Sequence, residues 1–225
     1  MNRPTMWRAI LETQWKWCKG LALLGVLIVF AIPLVSLRTA AFAADEARVS
    51  PLATFVLTMQ GWGVGYAIAA GALGLATAML AWASDHRLRH VYALSLPIAR
   101  WRYVWYRFAA GILMLVIPVI ALLIATEIVA HSSMVPKELH AYPLALTLRF
   151  AFATLVAYAL FFAISAATPR TAGYILGAIA LIIVAQVVLS SANSHIDILS
   201  HAIDVLFATP GLLAVFGGRW ALVDV

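Results

Sequence analysis

Residues able to do chemistry are few in this sequence, and they lie far from one another. The six histidines could bind a metal or relay protons, and two of them lie close to an aspartate, as His195 with Asp197 and His201 with Asp204. Each pair lacks a third metal ligand or a nucleophile. The single cysteine, Cys18, excludes a disulfide framework and a multi-cysteine metal site. We therefore expect no metal and no cofactor in this chain.

The sequence also contains no motif for nucleotide binding or hydrolysis. The only lysines are Lys16, Lys19 and Lys137, and none stands in a phosphate-cradling P-loop. The glycines of residues 60–65 superficially resemble a dinucleotide loop, but no strand or soluble domain surrounds them. Gly61 and Gly65 instead predict a face on which another helix can pack closely. We expect the chain not to be an enzyme and not to hydrolyse ATP by itself.

Composition indicates which elements must position these residues. Of 225 residues, 64% are hydrophobic and only 11% are charged, whereas charged residues approach a quarter of a soluble domain. The apolar residues form long uncharged runs, which predict an all-α, polytopic transmembrane helical bundle. The formal net charge of +6 comes from basic residues at the ends of these runs. That placement indicates membrane orientation rather than nucleic-acid binding.

The runs predict one transmembrane domain over residues 1–225. Residues 1–20 are amphipathic and predict an interfacial helix in the lipid headgroup region. Five spans are predicted at residues 21–37, 52–83, 108–130, 144–167 and 172–189. Residues 196–216 are apolar but contain Asp197, Asp204 and a Pro210-Gly211 break. They predict a re-entrant hairpin on the outer side or a sixth span.

The basic residues also predict the orientation. With the N-terminus in the cytoplasm, ten of the fifteen lysines and arginines lie in inner segments and five in outer segments. An excess of basic residues on the cytoplasmic side is typical of membrane proteins. We therefore expect a multi-pass protein of the inner cell membrane with a cytoplasmic N-terminus.

The inner segment at residues 84–107 is the most informative part of the chain. Val91, Leu94 and Ile98 recur at helical spacing between charged flanks, and Pro97 would end such a helix. Physics alone leaves two interpretations open. The segment is an apolar knob that docks on a partner, or an interfacial helix whose arginines reach the headgroups.

This segment resembles the inner loop of type-2 ATP-binding-cassette transporter permeases. The resemblance is carried by Asp85-His86-Arg87 and by the run from Tyr92 to Arg100, which ends in Leu96-Pro97-Ile98-Ala99-Arg100, and the order of elements agrees over nearly the whole chain. In that family the loop forms a coupling helix that docks into the ATPase subunit. The resemblance implies a docking site made of these residues: Arg87, Arg89, His90, Val91, Leu94, Leu96, Pro97, Ile98 and Arg100.

The resemblance implies a function as well. The chain would be the permease subunit of an ATP-driven exporter of an apolar or amphipathic substrate, working as a homodimer or with a related permease, and with two ATPase subunits. Permeases of this family close with a sixth span, whereas this chain stops soon after residues 196–216, so that span is absent or is formed by these residues. The alternative is a non-transporting anchor or assembly subunit of a larger membrane complex. Membrane lipid is an expected partner, and nucleic acid is not.

Overall fold

A computed structural model describes residues 3–47, 50–87, 99–166 and 219–224, together with residues 174, 177, 181, 205, 211 and 213–217. The chain divides into two compact units, one of Met1–Phe162 with Arg219–Val225 and one of Ala163–Gly218. The predicted span at 172–189 and the predicted hairpin or span at 196–216 fall almost entirely outside the described residues. Both stay predictions, as does the single domain over residues 1–225.

The described chain is built from helices with one small strand pair. The elements are α1 (Arg3–Glu46), α2 (Pro51–Gly61), α3 (Gly63–Arg87), α4 (Arg100–Ala130), β1 (His140–Ala141), α5 (Pro143–Ala166) and β2 (Val223–Asp224). Four stretches are helical, long and apolar enough to cross a membrane: Trp7–Glu46, Pro51–Ala83, Arg100–Ala130 and Pro143–Ala166. The prediction of a membrane-spanning helical protein is supported at this level.

Helix α1 differs from the prediction. Residues 3–20 are not a separate helix, because Arg3–Glu46 is one helix of 44 residues that runs through Gly20 without a break. The predicted location of this part in the headgroup layer stays a prediction. At 1.5 Å per residue it is about 66 Å long, roughly twice the thickness of the hydrocarbon layer. Ile10, Gln14 and Cys18, spaced four residues apart, are all buried, so the first half of α1 belongs to the helical bundle.

The span predicted at residues 52–83 is divided into two helices. Pro51 stands in the first turn of α2, where a missing N–H costs nothing, and the chain turns at Trp62 before α3 begins. The Trp62 indole N–H donates to the Thr39 hydroxyl at 3.0 Å, which fixes this turn against α1. The extra length of the apolar run, beyond what a membrane requires, is therefore used for a second short helix.

Helices α1 and α4 run in the same direction. The Trp7 and Tyr106 rings lie 5.6 Å apart, and further along both helices a Cβ on Gly25 would lie 3.6 Å from the Cβ of Pro118. Contacts that advance along both helices together require parallel axes. The N-terminal halves of α1 and α4 therefore lie at the same end of the bundle.

Helix α3 runs in the opposite direction to α4. Near the end of α3, Asp85 contacts Tyr103 in the second turn of α4, whereas Leu73 lines a cavity with Pro118, four turns further along α4. We call the end that contains Asp85 the ion-pair end. The opposite end, which contains β1 and β2, is the strand end.

Helix α5 packs closely along α3. A Cβ on Gly74 would lie 2.6 Å from the Cβ of Ala157, so the two backbones approach as only glycine allows. Further along, the Trp82 and Phe162 rings lie 5.1 Å apart. These contacts also advance together, so α5 runs parallel to α3 and reaches the ion-pair end at Phe162.

The predicted helix packing at Gly61 and Gly65 is not found within the described part of the chain. A Cβ at either position would meet nothing within 4 Å. Val64 and Ile68 beside them are exposed, so this face points away from the bundle. The close approach occurs instead at Gly74, which the GxxxG spacing did not select.

The strand end is closed by the C-terminal residues. β1 pairs with β2 in antiparallel register, His140 with Asp224 and Ala141 with Val223. The backbone N–H of Tyr142 donates to the Leu222 carbonyl at 2.8 Å, which extends the pairing by one bond. Residues more than 80 positions apart in sequence are thereby joined.

Candidate functional site

A buried ion pair joins α3 to α4 at the ion-pair end. The Asp85 side chain has 0% exposure and Arg107 has 5%, and the Arg107 Nη2 lies 2.7 Å from the Asp85 Oδ1. Asp85 lies in the last turn of α3, and Arg107 lies two turns into α4. The two charges therefore face each other close to the points where the connecting segment leaves α3 and enters α4.

Tyr103 completes the hydrogen bonding of both charged groups. Its hydroxyl lies 3.0 and 2.9 Å from the two Asp85 carboxylate oxygens and donates to the carboxylate. It also accepts from the Arg107 Nε at 2.9 Å and from Nη2 at 2.6 Å. The Arg107 Nη1 donates to the Ala81 carbonyl, so the guanidinium binds the backbone of α3 as well as its side chain.

An aromatic layer covers the ion pair. The Arg107 guanidinium lies 5.2 Å from the centre of the Tyr103 ring and 6.0 Å from that of Trp82. Such faces attract a cation, and they exclude water from the pair. The charges are thus compensated by one another and by ring faces rather than by solvent.

Helix α5 is attached to the same cluster through Tyr158. Its ring stacks on Phe108 with centroids 5.2 Å apart, and its hydroxyl donates to the Phe108 carbonyl at 3.2 Å. Gly111 makes room for this hydroxyl, because a Cβ there would collide with it. Three helices therefore meet at one polar cluster, which we call the helix brace and define as Asp85, Tyr103, Arg107 and Tyr158.

The brace suits mechanical coupling rather than catalysis. A buried, fully hydrogen-bonded ion pair is costly to break from one side, since the remaining charge would be left uncompensated. It holds the last turn of α3 and the first turns of α4 as one body. Among the residues that the structure describes, no group of three or more His, Cys, Asp or Glu side chains could hold a metal ion.

A second polar feature lies further into the bundle. Gln14 has 2% exposure, and within the described part of the chain neither atom of its amide has a hydrogen-bond partner. A cavity of about 10 Å³, lined in part by Cys18, Met114 and Pro118, lies one turn further along α1. Because Pro118 has no N–H, the Met114 carbonyl lacks its usual helical donor. The cavity has room for one water molecule and not for a transported substrate.

The predicted docking residues are only partly described. Arg87 ends α3, and Arg100 begins α4 with an exposed side chain. The others lie outside the described residues: Arg89, His90, Val91, Leu94, Leu96, Pro97 and Ile98. Docking at these positions stays a prediction.

Helices α3 and α4 both extend into the predicted inner loop, residues 84–107, whose cytoplasmic location and coupling role stay predictions. Residues 84–87 continue α3, and Arg100–Arg107 already belong to α4. Both helices continue beyond the apolar runs because Asp85 and Arg107 neutralise each other inside the bundle. The connection that remains is about half as long as predicted.

Sequence reasoning missed the helix brace. It placed Asp85 and Arg107 within the inner segment at residues 84–107, although Tyr103 and Arg107 are spaced i, i+4 and so share a helix face. A carboxylate at the end of one apolar run and a Tyr/Arg pair at the start of the next was the available signal. What it could not supply is the antiparallel pairing of α3 with α4, which brings them together.

Comparison of the chain with protein-family models, with curated proteins and with solved structures gives no match.

Proposed function

We propose that this chain is the transmembrane permease subunit of an ATP-driven transporter of the ATP-binding-cassette type, exporting an apolar or amphipathic substrate. The observation that carries the proposal is the helix brace. Asp85 and Arg107 lock together the two helices from which the predicted docking segment emerges. A segment held in this way can pass a displacement to the bundle instead of absorbing it.

The proposed mechanism follows from these contacts. ATP-driven closure of the ATPase pair moves the docking segment, and the ion pair makes α3 and α4 move together. Tyr158 extends the motion to α5 through its bonds near Phe108. The spans then alternate between inward-open and outward-open arrangements. The ATPase subunits supply hydrolysis, and a second permease, identical or related, completes the transport path.

We propose five full spans rather than six. Phe162 of α5 lies at the ion-pair end, whereas the C-terminal residues that pair with β1 lie at the strand end. A chain that leaves one end and returns at the other has crossed an odd number of times. This supports a fifth span at residues 172–189 and a hairpin, not a sixth span, at residues 196–216.

Cysteine labelling tests this topology. Single cysteines replace Lys137, Asp224 and Arg100, which are all exposed, in a chain whose buried Cys18 is changed to Ala. A membrane-impermeant maleimide should label positions 137 and 224 from the outer side and position 100 from the cytoplasmic side. Labelling of positions 137 and 224 from opposite sides would establish an even number of crossings after α5, and therefore a sixth span, and would overturn the proposal.

Copurification tests the function. Leu94→Asp places a charge in the predicted docking surface, where charged groups at an interface core are strongly unfavourable. We expect normal amounts of folded permease, at least a tenfold loss of the copurifying P-loop ATPase, and loss of transport. Met134→Asp is the matched control, because Met134 is an exposed apolar residue in the loop at the strand end.

The possible results separate the two candidate functions. Retention of the ATPase by a folded Leu94→Asp protein would remove the docking assignment. If the wild-type chain brings down membrane proteins but no P-loop protein, the chain is an anchor or assembly subunit. The purified permease alone should show no ATP turnover, and turnover that survives removal of contaminants would contradict the permease assignment.

A further inference from the structure

Two helices show the same succession of side chains on their exposed faces. On α4 the exposed apolar series Ile124, Ile120 and Val116 leads toward the ion-pair end, where Trp105 and Trp101 are also exposed. On α1 an exposed apolar series leads to Trp15 in the same direction. Tryptophan at the end of a lipid-facing surface is typical of the headgroup layer.

Exposed basic residues accompany these tryptophans. Lys16 and Lys19 follow Trp15 on α1, and Arg100 and Arg102 flank Trp101 on α4. The Arg102 guanidinium lies 5.2 Å from the centre of the Trp101 ring. We call these four charges, with Trp15, Trp101 and Trp105, the basic aromatic belt.

The charge of the belt has one sign. The exposed acidic residue closest in sequence, Glu12, lies 2.8 Å from Arg8 and is neutralised by it, and Asp85 is buried against Arg107. The strand end differs, because Asp45, Glu46, Glu138 and Asp224 are exposed there. Among the described residues, an excess of exposed positive charge therefore occurs at the ion-pair end.

Helix lengths put the belt at the depth of lipid headgroups. From Lys19 to Arg38 the helix rises about 28 Å, close to the roughly 30 Å of the hydrocarbon layer. From Trp105 to Ala130 the rise is about 37 Å, which falls between the hydrocarbon thickness and the 40–45 Å that include both headgroup layers. With one boundary of the hydrocarbon layer at the strand end, these lengths place the belt in the headgroup layer just outside the opposite boundary.

We infer that the basic aromatic belt is a binding surface for anionic phospholipid headgroups. Lys16, Lys19, Arg100 and Arg102 bind the phosphate groups, while the tryptophans hold the helices at the depth where those groups lie. The inference does not depend on the transport proposal, since it concerns the exposed faces of α1 and α4. It assigns to this end a lipid partner in addition to any ATPase.

A lipid titration tests the inference. The full-length protein is purified in a neutral detergent, and its thermal unfolding is followed as phosphatidylglycerol or phosphatidylcholine is added. We expect phosphatidylglycerol to raise the Tm at lower concentrations than phosphatidylcholine. Lys16→Gln with Lys19→Gln should raise the half-saturating concentration of phosphatidylglycerol about 25-fold, since each basic residue near an anionic surface changes affinity about fivefold.

Matched variants show whether charge at this end is responsible. Lys16→Arg with Lys19→Arg keeps the charge and should keep the wild-type titration, which separates charge from folding. Lys137→Gln with Arg219→Gln removes two exposed charges at the strand end and should leave the titration unchanged. A similar shift in the strand-end variant would contradict a surface confined to the belt.

Three further results would overturn the inference. The first is equal stabilisation by the two lipids. The second is stabilisation by inorganic phosphate at the same phosphate concentration, which would indicate a small-anion site. The third is an unchanged lipid titration in the Lys16 and Lys19 variant together with loss of a copurifying ATPase, which would assign the belt to a protein partner.

Discussion

The two ends of the bundle are closed by different physical means. At the ion-pair end, the side chains of Asp85, Tyr103 and Arg107 join helices that follow each other in sequence. At the strand end, backbone hydrogen bonds between β1 and β2 join residues more than 80 positions apart. One closure depends on buried charge, and the other depends on residues 222–224, which return to the bundle and pair with residues 140–142.

This difference indicates how each end can fail. A buried ion pair is intolerant of losing one partner, because the remaining charge has no water to solvate it. A two-stranded ribbon is weak by itself, and its stability depends on the side chains packed beneath it. One of these side chains is Trp220, which lies against Gly63. The Arg149 guanidinium lies over the Trp220 ring, 4.8 Å from the ring centre. We therefore expect loss of one ion-pair partner to destabilise the whole bundle. Disturbance of the strand pair should release only the C-terminal segment.

The largest effect is expected from removal of one charge of the ion pair. Asp85→Leu should lower the free energy of unfolding by about 3–5 kcal/mol, because it leaves Arg107 buried without its carboxylate. Thermal unfolding in detergent and the yield of monodisperse protein measure this loss.

The double variant Asp85→Leu with Arg107→Met supplies the control. Since it removes both charges and keeps apolar volume, most of the lost stability should return. A double variant as unstable as Asp85→Leu alone would show that the charges are not coupled, and the comparison between the two ends would no longer hold.

A smaller effect is expected at the strand end from Gly63→Ala. The new Cβ would lie 2.9 Å from the Trp220 carbonyl oxygen and 3.1 Å from the Trp220 Cβ, so the C-terminal segment must shift. Overpacking of this kind costs about 1–3 kcal/mol. We expect faster proteolytic cleavage of the C-terminal residues while the Tm of the bundle changes little.

Gly65→Ala is the matched control for that change. It lies two residues further along α3, where a Cβ would meet nothing within 4 Å among the described residues, and alanine is the better helix former. Its C-terminal segment should be cleaved at the wild-type rate. Equal cleavage of the two variants would mean that contact with Trp220 does not hold the segment.

How far the sequence predicts this molecule depends on whether a feature is local. Long uncharged runs predicted α4 and α5 to within a few residues outside the start of α4, because hydrocarbon length is a local constraint. The start of α4 was placed eight residues late, since charged residues were taken as loop. Burial of Arg107 depends on Asp85, a partner 22 positions away, and no local pattern contains that information.

The glycines show the converse case, in which a local pattern is present but does not identify the packing partner. Gly61 and Gly65 have the spacing of a packing face, yet they are open, whereas the closest backbone approach is at Gly74. Spacing shows that a helix face is small but not which neighbour lies on it. The strand pairing of residues 140–141 with 223–224 was likewise beyond sequence reasoning, because two-residue strands carry no periodic signal.

The smallest effect is expected at Gln14, a buried polar side chain near the ion-pair end that takes no part in the ion pair. Gln14 has 2% exposure, and its two amide atoms have no hydrogen-bond partner among the described residues, so folding removes the amide from solvent without replacing its hydrogen bonds. An unmade buried hydrogen bond is unfavourable, whereas an apolar side chain of similar shape carries no such cost. Gln14→Met should therefore raise the free energy of unfolding by about 1 kcal/mol, with the same change at the half-buried Gln60 as control.

A loss of about 1 kcal/mol or more in Gln14→Met would show that the amide is hydrogen-bonded in the folded protein, with a water in the cavity beside Cys18 as the nearest source of a partner. The ion-pair end would then contain two hydrogen-bonded buried polar groups, the ion pair and the Gln14 amide. Side chains would then join the helices at this end through two polar contacts, whereas backbone hydrogen bonds close the strand end.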